Sequence, residues 1–501
     1  MKALRTTGRL LVENLRPLRI DTPPQHTLAQ RGALSTLGLM AQGVLRFATS
    51  WLVGRIAGKV ALGTVQAAIS TGTLLALMWP TTTGSAASKY LARARGAGND
   101  EELHAVAAHF RRRAVQSGLL LGLVAVPFWV LYDDGTPLEG LFVGAFTAAY
   151  AGYSFIRGVQ FGTGQVGRAT TWEGVSAVTG LLALAVALLA GVRGPALLVT
   201  LTASYAVYAV AGWPRGVRHQ AVLAPELRRE MDHFVLVGVA GTLASAGFLQ
   251  IAMVVARGLD RADAGQFAAA MATATPASML AASLSLVLFP TLAETWGRGD
   301  LSAFRAQVDG ATRGLVLLMV SVFGAIVICS RLVMTILWGQ RFEPSSLVLP
   351  VLVFAIMSTN LAVAAVNALS TRSRRTMQVT SAASFAGLVI GAGFWWLWAG
   401  RLGIDGVAFG YLAGSLVAAA VPLVTEWRLG GHRWGGLLTR VLAGYGLLAA
   451  LVAADRLLQP PLAVEPLVAL AFVGLWWFIG RHDLRLLPLP PRLRRGLPEP
   501  R

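Results

Sequence analysis

The chain has 501 residues, with 43 Lys or Arg against 24 Asp or Glu for a net charge of +19, and is 55% hydrophobic but only 13% charged. A soluble nucleic-acid-binding protein would explain the charge but not so apolar a composition at this length; a basic polytopic membrane protein explains both. The single cysteine, Cys329, excludes an intramolecular disulfide, and no P-loop, HExxH, paired CxxC or GxSxG pattern is present.

In chain order, the first 31 residues lack a short apolar stretch with a small-residue cleavage site, so no removable leader is expected and the first spanning helix is its own insertion signal. Fourteen apolar runs follow, at 32–54, 61–83, 114–132, 139–156, 170–190, 194–213, 233–256, 264–289, 314–338, 346–369, 376–399, 404–425, 436–454 and 462–480. Each predicts a membrane helix, because about 20 apolar residues cross the hydrocarbon and only helices or closed barrels satisfy the backbone there. The two ends and every second gap carry 32 of the basic residues, the other gaps only 8. Basic loops stay in the cytoplasm, so this alternation predicts both termini inside, in a multi-pass protein of the plasma (cytoplasmic) membrane. Arg46, Arg331 and Arg440 lie inside runs. The latter two sit near helix ends, where snorkelling to the headgroups is expected.

His104 and His109 are five apart, off a common helix face, and with the neighbouring Glu101, Glu102 and Arg111 to Arg113 they predict a solvated cytoplasmic segment and no metal site.

A weak repeat runs through the chain. Val53, Arg55, Gly63, Ala67 and Ala68 recur 202 positions later as Val255, Arg257, Gly265, Ala269 and Ala270. Both copies bridge the first two helices of a six-helix block, which makes the repeat parallel. The expected organisation is therefore an all-α chain with a cytoplasmic segment (1–31), an N-terminal lobe (32–213), a charged, proline-interrupted linker (214–231), a C-terminal lobe (232–425), and two further helices with a basic cytoplasmic tail (426–501).

The stretches GRIAGKVALGTVQAAISTGTLLALMWPTTTGSAASKYLARARG, FIRGVQFGTGQVGRAT, GQFAAAMATATPASMLAASLSLVLFPTLAETWGRGD and ILWGQRFEPSSLVLPVLVFAI resemble, in order and spacing, the polysaccharide flippases of the multidrug/oligosaccharidyl-lipid/polysaccharide superfamily, over about residues 30–430. The resemblance implies a carrier, not an enzyme and without a cofactor. It would turn a polyprenyl-diphosphate-linked oligosaccharide from the inner to the outer leaflet by alternating access. Its implied partners are that lipid-linked substrate, membrane lipid, and the polymerase and glycosyltransferases of polysaccharide biosynthesis.

The polar residues inside the runs are compatible with a substrate cavity. Ser35, Gly38, Gln42, Arg46 and Ser50 share one stripe of the first helix. A guanidinium near the bilayer centre costs about 2.5 to 3.5 kcal/mol and usually faces a cavity or the bundle interior; its planar fork suits phosphate oxygens. Two readings of Arg46 stay open, a diphosphate ligand in a cavity or a cap on a neighbouring helix. Gln66, Ser70 and Thr73 form a second stripe, Tyr150, Tyr153 and Arg157 a third, and Asn360 and Asn367 a fourth. The asparagines read rather as glue between helices, and the tyrosines as sugar-stacking or as packed aromatics. Arg257 at the outer mouth either meets the diphosphate after crossing or anchors to lipid phosphate. Pro80 and Pro276, each interrupting the second helix of a lobe, are hinge candidates.

Two other classes compete with the flippase. A drug or metabolite antiporter of the same superfamily would need a deep carboxylate, and none is evident, Glu173 standing about one turn inside the fifth run. A membrane glycosyltransferase or polymerase would need acids and bases in an outer loop, where Asp133, Asp134 and Glu139 are among the few carboxylates.

Overall fold

The computed structural model describes residues 18–20, 28–217, 223–342 and 348–486; most of the expected N-terminal segment, and the tail from 487, lie outside the described residues. The helices are α1 (Leu28–Met78), α2 (Pro80–Gly96), α3 (Asp100–Tyr132), α4 (Pro137–Gly162), α5 (Val166–Leu189), α6 (Leu198–Ala211), α7 (Pro225–Leu259), α8 (Arg261–Gly297), α9 (Leu301–Ile328), α10 (Ser330–Trp338), α11 (Val348–Leu361), α12 (Val363–Arg372), α13 (Arg374–Phe394), α14 (Gly400–Gly430), α15 (Gly435–Leu458) and α16 (Val464–Leu486). Among the described residues there is no sheet, only an isolated bridge between Arg19 and Arg215 that pins the N-terminal strap to the linker.

Ten helical stretches are long and apolar enough to cross a membrane. The stretches Ala33–Met78 and Arg374–Gly430 are double, turning back at Gly58 (φ 86, ψ 178) and Gly403 (φ 59, ψ −138), backbone conformations open to glycine and hostile to a side chain. Among the described residues, counting each double stretch twice and adding the helices α4 and α8, fourteen helical segments overlap the fourteen apolar runs.

Several passes are broken by local chemistry rather than continuous. Trp79 leaves the helical region (φ −130, ψ −50), and Pro80, lacking an N–H, starts α2 as a first-turn residue. The Trp79 carbonyl takes the Thr83 N–H at 2.9 Å and also accepts from the Thr82 and Thr83 hydroxyls at 2.8 and 3.0 Å. Pro80 therefore marks a true break, whereas Pro276 sits exposed within the continuous helix α8.

The passes form two six-helix lobes, α1–α6 and α7–α14, that meet along α1, α7 and α8. The repeat supplies a close contact between them. A Cβ on Gly63 would stand 2.6 Å from the backbone nitrogen of Gly265, so the two repeat-matched glycines let the lobes touch backbone to backbone. The last two helices lean on the second lobe. Trp477 Nε1 donates to Ser321 Oγ at 2.9 Å, and Arg331 pairs with Asp455 at 3.2 Å. Arg331 thus does not snorkel as expected; its side chain is 16% exposed and ties α10 to α15.

Asp134, Arg193, Gln340, Arg401 and Gln459 are all exposed at the end opposite the basic loops. Single cysteines there, in a Cys329→Ser background, are expected to react with an impermeant thiol reagent in intact cells. Reaction only after permeabilisation would invert the orientation inferred from charge.

Candidate functional site

The lobes leave a cavity of about 100 Å³ between them, lined by Gly43, Arg46, Phe47, Ser50, Gln66 and Ile69 of α1, Leu249 and Gln250 of α7, and Met271, Ala272, Thr275, Pro276 and Met279 of α8. Of the expected site residues, Arg46, Ser50, Gln66 and Pro276 meet here. Ser50 Oγ donates to Gln66 Oε1 at 3.1 Å, which fixes the amide. Arg46 Nε donates to Tyr205 Oη at 2.9 Å, and its guanidinium lies 5.0 Å from the Tyr150 ring centroid and 5.9 Å from that of Tyr205. Its Nη2, buried, has no hydrogen-bond partner. Such a group, held on its apolar side by two rings and with a donor unspent, is disposed to bind an anion.

Behind Arg46 the first lobe holds a second polar cluster. Glu173 is fully buried and accepts from Arg157 Nε at 2.7 Å and from Tyr153 Oη at 3.2 Å, while Gln42 Nε2 donates to the Glu173 carbonyl at 3.0 Å and to Ser176 Oγ at 2.9 Å. Four tyrosines bind the two clusters together. Tyr150 to Tyr205 (5.1 Å between centroids), Tyr153 to Tyr205 (4.9 Å) and Tyr153 to Tyr208 (4.8 Å) form one packed group. Glu173 keeps its expected place near the start of its helix, but its full burial was not expected. Glu173 stands seven residues into α5, and the small Gly38 opposite it leaves room for its carboxyl group against α1.

The remaining expected residues lie elsewhere. Arg257 is 6% exposed and is clamped by Asp133, with Nε to Oδ1 at 2.6 Å and Nη2 to Oδ2 at 3.0 Å, so it ties α3 to α7, with only Nη1 unpartnered. Arg261 adds a bond to the Asp133 carbonyl at 2.9 Å, and Trp51 and Arg55 donate to the carbonyls of Leu337 and Ile336. These contacts close the cavity toward the end away from the basic loops. Asn367 and Ser285 bond each other, at 2.8 and 3.1 Å, as glue between α12 and α8; Asn360 is buried on α11 with Nδ2 unpartnered, and Ser70 is buried with Oγ unpartnered. Of the two histidines of α3, one is buried and the other is paired at the cavity wall. His104 is 5% exposed and His109 Nε2 lies 3.2 Å from Asp232 Oδ1.

Sequence reasoning passed over Tyr205, Gln250 and the burial of Glu173. Gln250 was findable as the lone polar residue of an apolar stretch; its Oε1 is buried and unpartnered on the cavity wall. Among the described residues no group of three or more His, Cys, Asp or Glu stands ready for a metal.

With this geometry in place, similarity to known proteins becomes informative. The family description "Lipid II flippase MurJ" matches residues 64–467, most of the chain. The chain belongs to the MurJ family. No curated protein sequence matches it at a significant level. Among solved structures, a lipid II flippase MurJ in an inward closed conformation aligns with TM-score 0.68 and 11% identity over 90% of this chain and 100% of that one. An inward-facing multidrug resistance transporter of the MATE family and the MOP superfamily aligns with TM-score 0.62 and 16% identity, over 79% and 94%. A MOP superfamily transporter from Pyrococcus furiosus aligns with TM-score 0.58 and 16% identity, over 81% and 95%. At such identities these structures show the fold alone. The superfamily expectation thus stands, and the family that matches within it is MurJ, a family of membrane flippases and not enzymes.

Proposed function

We propose that this chain turns a polyprenyl-diphosphate-linked sugar precursor, of the lipid II class named in its family's description, from the cytoplasmic to the outer leaflet by rocking its two lobes. The observation that carries the reading is Arg46: a buried guanidinium lining the interlobe cavity with Nη2 unspent. The diphosphate is the part of such a molecule that resists the hydrocarbon most, and a planar cation with a free donor offsets that cost where it is greatest. Asp133–Arg257 closes one end; at the other, Arg93–Glu230 (57% and 50% exposed) and the part-exposed pairs of Asp232 with Arg113 and His109 join the lobes, and their greater exposure supports a resting state that opens first at the basic end. Enzymes that assemble the lipid-linked sugar inside and consume it outside are its implied neighbours.

A second reading, a drug or metabolite antiporter, is favoured by Glu173, a fully buried carboxylate within a spanning helix. One vesicle experiment separates them. An inside-negative potential drives an outward-moving diphosphate at about 2.3 kcal/mol per charge per 100 mV. In proteoliposomes with a fluorescent polyprenyl-diphosphate sugar, flipping is expected to rise with imposed potential and to ignore a pH gradient at zero potential. The opposite dependence would reject the flippase reading in favour of proton exchange.

A further inference from the structure

A second cavity, outside the transport path, lies at the basic end. It has about 770 Å³ and is walled by the Ala105 to Gln116 stretch of α3 on one side and by Trp213, Leu223 and Arg228 on the other. That volume is within the usual range of about 300 to 1,000 Å³ for small-molecule sites. Its charge is one-sided. Arg111, Arg112, Arg113 and Arg228 line it, and the neighbouring carboxylate Asp232 is engaged by Arg113 at 3.0 Å and His109 at 3.2 Å, with Arg228 only at 4.0 Å.

The face of α3 says what kind of anion fits. Ala105, Ala108, Arg112 and Gln116 recur at intervals of three and four, so they form one stripe whose alanines open the space below the guanidinium. The same stripe continues as Leu119 and Leu123, 60% and 70% exposed, which can face only hydrocarbon. A headgroup held at Arg112 would therefore have its acyl chains running along α3. Trp213 on the opposite wall is a residue of the same headgroup level.

We propose that this cavity is a binding site for the phosphate of an anionic phospholipid of the cytoplasmic leaflet, bridging α3 of the first lobe and Arg228 of α7 in the second. The shared chemistry is a phosphate ester, and the lipid-facing stripe assigns it to a lipid rather than to a free phosphate. The bound headgroup holds the two lobes at the basic end, beside the Asp232 pairs.

The test uses the full chain in a neutral detergent, titrated by calorimetry with dioctanoylphosphatidylglycerol, dioctanoylphosphatidylcholine and pyrophosphate. The phosphatidylglycerol is expected to bind at least tenfold more tightly than either of the others. Each arginine near an anionic surface is worth roughly a fivefold change, so Arg112→Gln should weaken it about fivefold and Arg112→Gln with Arg228→Gln by more than tenfold. Arg112 is exposed, so the single variant reports on binding even if the double one folds poorly. Equal affinity for the two lipids, or wild-type affinity in Arg112→Gln, would overturn the site. Pyrophosphate binding as tightly as phosphatidylglycerol would reject a lipid as its occupant.

Discussion

Replacing Glu173 by alanine is expected to destabilise the folded protein by about 3 kcal/mol, the low end of the range for leaving one member of a buried ion pair uncompensated. The low end applies because Arg157 retains 25% of its side-chain exposure while Glu173 has none, so the stranded guanidinium can recruit some solvent. Glu173→Gln should lose less. The amide oxygen still accepts from Arg157 and Tyr153, now at 2.7 and 3.2 Å, while the charge is gone and the amide nitrogen takes the place of the buried, unpartnered Oε2. Arg157→Leu combined with Glu173→Leu removes both charges and should recover most of the loss, since burying two apolar side chains replaces a pair whose desolvation nearly cancels its attraction. Reversible unfolding of the four proteins in mixed micelles reads this directly. If all match the wild type, the pair contributes nothing to the fold. In that event a transport defect in Glu173→Gln would have to come from coupling, and the antiporter reading would gain.

The arrangement of passes was legible because membrane insertion is a local, additive problem. Each run of about 20 apolar residues declares itself; the side of each loop is an expectation from its arginines, which the labelling experiment tests. Gly58 and Gly403 could not be singled out among 55 glycines, yet the apolar gaps around them placed the turns correctly. The repeat matched Gly63 with Gly265, and the two meet backbone to backbone between the lobes, where a side chain on either would collide.

Partners of charge were not legible. Arg257 and Asp133 are 124 residues apart and Arg157 and Glu173 sixteen, on different helices. A single sequence gives the depth of a residue in the membrane but not the direction it faces, so Arg257 read as a free outer cation when it is a lock. Glu173 failed for a related reason. Its distance from the run's edge placed it near the start of α5, where it stands; its burial comes from α1 and α4 packed on its own face, while Val178, Leu182 and Val186 leave another face of α5 exposed. Stripes of like spacing fared better where the helix was long and regular. Along α1, Ser35, Gln42, Arg46 and Ser50 are all wholly or largely buried, though Gln42 turns inward to α5 while Arg46 and Ser50 reach the cavity.

Arg46 is where the transport reading meets its sharpest test. Arg46→Ala is expected to weaken binding of a polyprenyl-diphosphate sugar by roughly tenfold to a hundredfold, the equivalent of one charge-assisted hydrogen bond of about 1.5 to 3 kcal/mol. Arg46→Lys keeps the charge but loses the fork, and its compact ammonium cannot hold Tyr205 and an anion in one plane, so it should fall between the two. The competing account makes Arg46 a structural cap on the tyrosine group. On that account alanine leaves the Tyr205 hydroxyl buried without its donor and exposes no binding defect, only a lower melting temperature. Tyr205→Phe separates the two. It removes the hydrogen bond while keeping the ring under the guanidinium, so it should cost stability on the structural account and leave affinity nearly intact on both. Folded yield, melting temperature and affinity measured on these four proteins therefore give a two-way decision: unchanged affinity in Arg46→Ala, whatever its stability, removes Arg46 from the site, and lost affinity with Tyr205→Phe still binding places the diphosphate on Nη2.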